Sequence, residues 1–232
     1  MSQIKLSARL EAIAKHIPLH GNFADVGTDH GYLPVWLLQN GYTGKLYATD
    51  IKKGPLERAK KTAAEFGFED KIGFFLCDGL NALDGMDIRT VVIAGMGGEN
   101  IADILHKAPW TKNNNCLLIL QPMSKSALLR SWLFENGYRV QSEQLVKEGD
   151  VYEILTASAG HDTPYSPAEL FIGHRHLISS DPLYKSRLEY LIEKTKRAAS
   201  GLAESTKAED AVRLNDMNAV FASLQELKKS EY

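Results

Sequence analysis

Acidic residues follow three short apolar runs of the sequence, each at the point where a buried strand would end. The first run leads into the loop Asp25-Val-Gly-Thr-Asp-His-Gly31, the second ends in Asp50, and the third ends in Asp78-Gly79. A carboxylate at such an end can accept hydrogen bonds from two ribose hydroxyls, and another can hold an adenine amino group. Because parallel strands end at one edge of a sheet, the acids together predict a site for an adenosine-containing ligand.

The loop after the first strand favours a ligand with positive charge. Gly27 and Gly31 permit positive φ and close approach of a ligand to the backbone. Asp29 stands where a dinucleotide-binding loop has its second glycine, and its carboxylate would repel a pyrophosphate. The sulfonium and amino groups of S-adenosylmethionine (SAM) are cationic, so the loop predicts SAM as the cofactor. A plain structural turn is the alternative interpretation.

Two later strand ends are suited to a methyl acceptor. The glycine-rich stretch Ala94-Gly-Met-Gly-Gly98 offers backbone groups and open space for a base to approach the methyl donor, although a tight turn before a helix is the alternative. In Gln121-Pro-Met123, the amide can hydrogen-bond a base edge and the thioether can pack on a base face. These two stretches therefore predict a substrate site beside the cofactor.

The predicted site residues divide by role. Asp29 is the acid nearest the expected methyl donor and is the candidate catalytic residue, acting electrostatically. His30, in the same loop, is expected to anchor it, and no metal is expected. The cofactor-binding candidates are Asp25, Gly27, Thr28, Asp29, His30, Gly31, Asp50, Ile51, Asp78, Gly79, Ala94, Gly95 and Met96, and the nearby substrate-binding candidates are Tyr32, Gly97, Gly98, Gln121, Pro122 and Met123.

A mainly parallel sheet is needed to bring these residues together. Five β/α alternations are predicted between Phe23 and Gly137, with Ser124 as the cap of the last helix. Such alternation implies right-handed crossovers and helices on both faces of the sheet. A turn at 147–150 then joins two more strands and adds one antiparallel strand. The predicted fold class is α/β, a seven-stranded, doubly wound sheet of the class I SAM-dependent methyltransferase type.

The sequence changes character at Gly160, so the predicted domains are a SAM-binding domain, 1–160, and a helical domain, 161–232. Ser166-Pro-Ala-Glu169 has the form of a capping box. Apolar residues then recur at alternating spacings of four and three, which predicts an antiparallel coiled-coil hairpin with a break near 201–209. Dimerisation is one use of such a hairpin, and gripping a large anionic substrate is the other. The basic candidates for that grip are Arg175, Lys194, Lys196 and Arg197.

Composition narrows the class of protein. Of 232 residues, 44% are hydrophobic and 24% are charged, as in ordinary globular proteins. The net charge of −2 means that any affinity for nucleic acid must come from local basic patches. The two cysteines cannot form a disulfide framework, and no run of apolar residues is long enough to span a membrane. A cytoplasmic location is expected.

Six longer segments are more specific than a generic methyltransferase signature: LSARL (6–10), DVGTDHGYLP (25–34), ATDIKKGPLERA (48–59), CDGL (77–80), VIAGMGGE (92–99) and LQPM (120–123). Together they resemble the bacterial tRNA (adenine-22 N1)-methyltransferase family, TrmK, over residues 4 to about 158. The resemblance implies a class I SAM-dependent fold, an added coiled-coil domain and methylation of N1 of adenine 22 in the tRNA D-arm. It implies tRNA as the partner, with no DNA, membrane or metal, and it leaves protein partners open.

Two other functions are compatible with the residues alone. One is a methyltransferase of the same fold that acts on a small molecule or a protein, which the roughly neutral charge mildly favours. The other is a non-catalytic module that binds SAM or RNA, against which the series of acids at the strand ends argues. Salt-sensitive binding of tRNA would distinguish the first alternative from the tRNA enzyme.

Overall fold

The computed structural model describes residues 3–113, 116–205 and 207–230. It divides into two compact units, Met1–Asp162 and Thr163–Tyr232. The change in composition at Gly160 lies next to this division. No helix within the described ranges is both long and apolar enough to cross a membrane.

The first unit contains one seven-stranded sheet with the strand order β3-β2-β1-β4-β5-β7-β6. Strands β1 to β5 pair in parallel, and β7 runs antiparallel to both of its neighbours, β5 and β6. This confirms the predicted α/β class and its single antiparallel strand. The order reverses between β1 and β4, which is where open α/β sheets bind their ligands. The strands are β1 (Asn22–Val26), β2 (Leu46–Asp50), β3 (Ile72–Leu76), β4 (Ile88–Gly97), β5 (Leu117–Ser124), β6 (Tyr138–Glu148) and β7 (Asp150–Ala159).

Within the described part of this unit, six α-helices and a short 3₁₀-helix (Glu69–Lys71) cover and connect the strands. Their apolar residues join a core in which Ile13, Leu33 and Leu37 pack with sheet residues such as Phe23 and Leu46. Side chains of this kind leave water on folding, and this transfer is the main driving force that holds the helices to the sheet. The helices are α1 (Ala8–Ala14), α2 (Tyr32–Gln39), α3 (Lys53–Glu65), α4 (Gly98–His106), α5 (Trp110–Asn113) and α6 (Ser126–Glu135).

Three local expectations differ from the structure. No helix joins β3 to β4: residues 77–87, all of them described, form turns and bends, with Gly79 and Gly85 at positive φ. The glycine-rich stretch is not a free loop, because β4 continues with register shifts to Gly97. Ser124 is not a helix cap, because it is the last residue of β5 and Lys125, at φ +57°, takes the cap position of α6.

The described residues of the second unit form four helices. Ser166 caps the first with the predicted capping box, in which its hydroxyl oxygen accepts from Glu169 N–H and the Glu169 carboxylate accepts from Ser166 N–H. The two long helices are antiparallel, with Lys228 Nζ 3.0 Å from Glu189 Oε1. The predicted break falls between Ala203 and Ala208, and residue 206 lies outside the described residues. The helices are α7 (Pro167–Ile172), α8 (Arg175–Ile178), α9 (Tyr184–Ala203) and α10 (Ala208–Lys229).

A buried charge joins α6 to the β6–β7 hairpin. Arg130 donates from Nε to Glu143 Oε1 at 2.8 Å and from Nη2 to Glu153 Oε2 at 3.0 Å. The three side chains are at most 4% exposed. Charges so far from water depend on one another, because removing one partner leaves the others uncompensated.

Arg130→Ala should therefore lower the free energy of unfolding by about 3–5 kcal/mol, since it leaves two buried carboxylates without their counter-ion. Urea unfolding at neutral pH measures this change. The control is Arg139→Ala, which removes an exposed arginine from β6 and should change stability by less than about 0.5 kcal/mol. Equal losses in the two variants would contradict a special role for the buried cluster.

Candidate functional site

A cavity of about 310 Å³ opens at the carboxyl ends of β1, β2 and β4, beside the reversal of strand order. Six predicted cofactor residues belong to its wall: Gly27, Asp50, Ile51, Asp78, Gly79 and Met96. The other cofactor candidates lie outside this set of lining residues. The remaining wall is formed by Val26, Thr49, Asn100, Asp103, Ile104 and Lys107.

Gly27 shapes the floor of the cavity. Its φ is +73°, and a Cβ built on it would lie 2.3 Å from Met96 Cε. Its N–H donates to the carbonyl of Thr49 at 2.8 Å, which ties the loop after β1 to the end of β2. Any side chain at residue 27 would displace Met96 and strain the backbone.

Asp50 and Thr49 fix the next part of the wall. Asp50 is 8% exposed, and its Oδ1 accepts from the N–H of Lys52 at 2.8 Å. Thr49 Oγ1 donates to the carbonyl of Gly79 at 2.8 Å and so holds the turn after β3 against β2. The Asp50 side chain therefore faces the cavity with its orientation set by the backbone.

Asp25 lies beneath this loop as a buried acid. Thr28 Oγ1 donates to Asp25 Oδ2 at 2.7 Å. Burial raises the pKa of Asp25 to about 6, the hydrogen bond from Thr28 opposes the rise, and the nearby charge of Asp50 adds to it. A strongly perturbed acid beside a cavity is typical of functional sites, because folding alone would not select it.

One face of α4 closes the far side, and sequence reasoning missed it. Lys107 Nζ donates to Asp78 Oδ2 at 2.9 Å and to Asp103 Oδ2 at 2.6 Å. These hydrogen bonds raise the pKa of Lys107, and the one to Asp103 has the larger effect. The sequence contained a signal for this face, because its other residues follow Asn100 at spacings of three, four and seven, which places them on one side of a helix. Its members are Asn100, Asp103, Ile104 and Lys107.

The rest of the first loop points towards solvent. Asp29 has φ +48° and a side chain 60% exposed, and its Oδ1 accepts from Arg58 Nη2 at 2.5 Å. The ring of His30 stacks on that of Tyr32 with centroids 5.2 Å apart. Gly31, at φ +67°, begins α2 and packs against Ala59. This part of the loop forms a rim, with Asp29 paired to Arg58, which belongs to the segment ATDIKKGPLERA but is not among the predicted site residues.

The predicted substrate residues of β4 and β5 have unequal exposure. Gln121 is fully buried: its Oε1 accepts from Gly95 N–H at 3.1 Å and its Nε2 donates to the carbonyl of Pro122 at 3.0 Å. Its amide therefore holds the irregular end of β4, rather than facing a base. Met123 is 46% exposed, and Gly95, at φ +77°, has open space around it.

Gly97 and Gly98 allow close packing where β4 gives way to α4. A Cβ on Gly98 would lie 2.4 Å from the carbonyl oxygen of Lys125, and one on Gly97 would lie 3.3 Å from Ser124 Oγ. Lys125 also pairs with Glu99. Ala94, the remaining candidate of this strand, is half-buried and pairs with Gln121.

The basic candidates of the second unit lie mainly on α9. Lys194, Lys196 and Arg197 are exposed, and Lys194 Nζ is 5.8 Å from the ring centroid of Tyr190. Arg175, in α8, donates from Nη2 to the carbonyl of Ser230 at 3.1 Å. Helix α9 carries five basic and two acidic residues, whereas α10 carries three basic and four acidic ones. Positive charge is therefore concentrated on α9.

Comparison with known proteins gives the family. The family described as "Methyltransferase domain" matches residues 6–155. The tRNA (adenine(22)-N(1))-methyltransferase of Bacillus subtilis is 35% identical over 175 residues, which cover 75% of this chain and 74% of the relative. The chain belongs to the TrmK family. The resemblance found in the sequence motifs is thereby confirmed.

Solved TrmK-type structures share the whole architecture. The crystal structure of Bacillus subtilis TrmK has a TM-score of 0.84 and 27% identity, covering 97% of this chain and 99% of that one. The Streptococcus pneumoniae protein Sp1610, in complex with S-adenosyl-L-methionine, has a TM-score of 0.78 and 29% identity, covering 94% and 100% of the two chains. Both units of this TrmK chain are thus covered by these likenesses.

Asp25→Asn should stabilise the protein at neutral pH. The carboxyl ionises near 3.8 in the unfolded chain and near 6 in the folded one, so the wild type loses stability as pH rises from about 4 to about 6. A shift of two pKa units corresponds to roughly 3 kcal/mol of the free energy of unfolding. The Asp25→Asn variant would keep this free energy, because its side-chain amide does not ionise. Urea unfolding of both proteins at several pH values across this window measures it. Parallel pH profiles would contradict the raised pKa.

Proposed function

We propose that this chain transfers a methyl group from SAM to N1 of adenine 22 in tRNA. The observation that carries the proposal is the cavity at the reversal of strand order, whose wall holds acids from successive strand ends in a chain of the TrmK family. The Bacillus subtilis relative is named for this reaction, and the Streptococcus pneumoniae structure contains SAM.

The residues of the cavity suit SAM. Asp50 would accept hydrogen bonds from the ribose hydroxyls, and Asp78 would lie near the adenine amino group. The missing side chain of Gly27 leaves room for a ligand against the backbone, and the acidic wall favours a cation over a pyrophosphate. When bound, SAM supplies an electrophilic methyl group. No group of three or more potential metal-ligating side chains is found among the described residues.

Adenine N1 needs no strong base, because its in-plane lone pair is free to react. The methylated ring is cationic, so the site has to stabilise positive charge. We assign this role to Asp29, whose positive φ places an acid on the rim beside Gly27. N1 lies on the Watson–Crick edge, so a paired adenine must first be unstacked at a cost of a few kcal/mol.

The second unit is proposed to hold the tRNA outside the catalytic cavity. Lys194, Lys196 and Arg197 would contact phosphates, which gives affinity without sequence preference. Arg175 is assigned to the same surface. Protein partners and DNA have no assigned role. A substrate of this kind, together with two free cysteines, favours the cytoplasm as the location.

The proposal is tested by incubating the full chain with labelled SAM and tRNA, followed by digestion to nucleosides. N1-methyladenosine should form, and a tRNA with guanine at position 22 should remain unlabelled. Label in protein or in a small-molecule fraction instead of tRNA would support the alternative methyltransferase. Binding of SAM and tRNA without transfer would support a non-catalytic module.

Asp29→Asn should impair turnover, whereas Asp50→Ala should impair SAM binding. Asparagine tolerates positive φ, so Asp29→Asn should keep the loop conformation and leave SAM affinity unchanged. It should lower kcat about tenfold. This is less than the loss on removing a buried oxyanion-hole donor, because the Asp29 side chain is exposed to water. Asp50→Ala should weaken SAM binding by about 1–3 kcal/mol, the scale of lost charged hydrogen bonds. Calorimetry and single-turnover rates separate the two. A wild-type rate in Asp29→Asn would remove the electrostatic role.

Reversing the charges of Lys194, Lys196 and Arg197 to glutamate should weaken tRNA binding while SAM binding persists. Each lost phosphate contact lowers the slope of log Kd against log salt by about 0.7–0.9, so the slope should fall by about 2–3. The control reverses Lys207, Arg213 and Lys229, which changes the net charge equally but on α10 and its N-cap instead of on α9. Equal losses in both variants, or loss of a dimer alone, would exclude α9 as the RNA surface.

A further inference from the structure

The segment Leu6-Ser-Ala-Arg-Leu10 carries part of the family resemblance but supplies nothing to the cofactor cavity. Two hydrogen bonds made by residues of this segment fix its position. Ser7 caps α1, and the N–H of Arg9 donates to Glu148 Oε2 at 2.7 Å. Helix α1 is thereby fastened to the turn of the β6–β7 hairpin, at the same sheet edge as the end of β5.

The side chain of Arg9 lies over this edge. Nη1 is 3.0 Å from Met123 Sδ, and the guanidinium carbon is 4.8 Å from the ring centroid of Tyr152. Nε is 3.9 Å from Glu148 Oε1, which is beyond hydrogen-bond distance. A thioether is a weak acceptor, so most of the five N–H donors have no strong acceptor among the described residues. The side chain is 24% exposed and open to a ligand.

A chain of contacts connects Arg9 with the cofactor cavity. Met123 Sδ is 3.6 Å from Gln121 Nε2, and Gln121 Oε1 accepts from Gly95 N–H. The next residue, Met96, belongs to the cavity wall. Adjacent strands lie about 4.8 Å apart, so β7, which carries Tyr152, lies about 10 Å from β4. That separation is comparable to the span from the Watson–Crick edge of a purine to its own phosphate.

We propose that Arg9 binds a backbone phosphate of the RNA at the adenosine that is methylated, with Tyr152 and Met123 as the apolar surface beneath it. The inference rests on the proposed function. A guanidinium held over an aromatic ring can present its N–H fork to phosphate oxygens with less further loss of freedom than a fully mobile side chain. Glu148 lies beside the guanidinium as an ion-pair partner, and the backbone N–H of Arg9 together with this charge lowers the pKa of its carboxyl. Its hydrogen bond is made with that backbone N–H, so the N–H fork of the side chain is not hydrogen-bonded to it.

Arg9→Met and Arg9→Lys test the proposal in the full chain. Methionine keeps the apolar stem and removes the charge, whereas lysine keeps the charge and loses the fork. Arg9→Met should raise KM for tRNA about tenfold or more and lower the salt slope of tRNA binding by about one phosphate contact. SAM affinity should stay within twofold, and Arg9→Lys should recover part of the loss. The control, Arg139→Met, removes an exposed arginine at the opposite end of the sheet and should leave both values unchanged.

Other outcomes have separate meanings. An unchanged salt slope in Arg9→Met, or a fall in SAM affinity parallel to that for tRNA, would overturn phosphate binding and leave Arg9 as a support of the wall. If the wild type binds tRNA but does not methylate it, the proposed function fails, and the slopes still decide the role of Arg9. If the wild type does not bind tRNA, both proposals are overturned.

Discussion

The absence of a side chain at Gly27 is the constraint on which the site depends. Its hydrogen bond to Thr49 fixes the ends of β1 and β2 relative to each other, and Met96 from β4 fills the space beside it. Residues of β1, β2 and β4 therefore pack so closely around Gly27 that no Cβ fits there. This is also where the strand order of the sheet reverses. The neighbouring lining residues are positioned from here: β2 ends in Asp50, and Thr49 holds the turn after β3 through its hydrogen bond to the carbonyl of Gly79.

The first unit contains two buried arrangements of charged groups that are costly in free energy. Asp25 is buried as an acid beside Asp50, and Arg130 is buried with two glutamates. Apolar residues could occupy either place more cheaply. The acid lies under the cofactor loop and the arginine behind the hairpin that carries Tyr152, so both tie the edge of the sheet that carries the site to the core below.

The sheet could be predicted because its signals are local: short apolar runs, glycines at the turns and an acid at each strand end. The same signals placed Asp50 and Asp78. The face of α4 was missed although its helical spacing is visible in the sequence, because that spacing does not show that the helix lies across the strand ends, where its polar residues line the cavity. Gln121 was given to the substrate for the same reason: its residue type allows base contact, but the register of β4 and β5 turns its amide onto Gly95. Arg58 reaches Asp29 from a helix 29 residues further on.

The bond between Arg9 and Glu148 joins residues that are 139 positions apart in the chain. The wall of the cofactor cavity is complete by residue 107, so a nascent chain has all of its lining groups well before the β6–β7 hairpin leaves the ribosome. Helix α1 is made first but must wait for the hairpin to dock. During synthesis, therefore, the sheet edge that carries Arg9 and Tyr152 is the last part of the first unit to be finished.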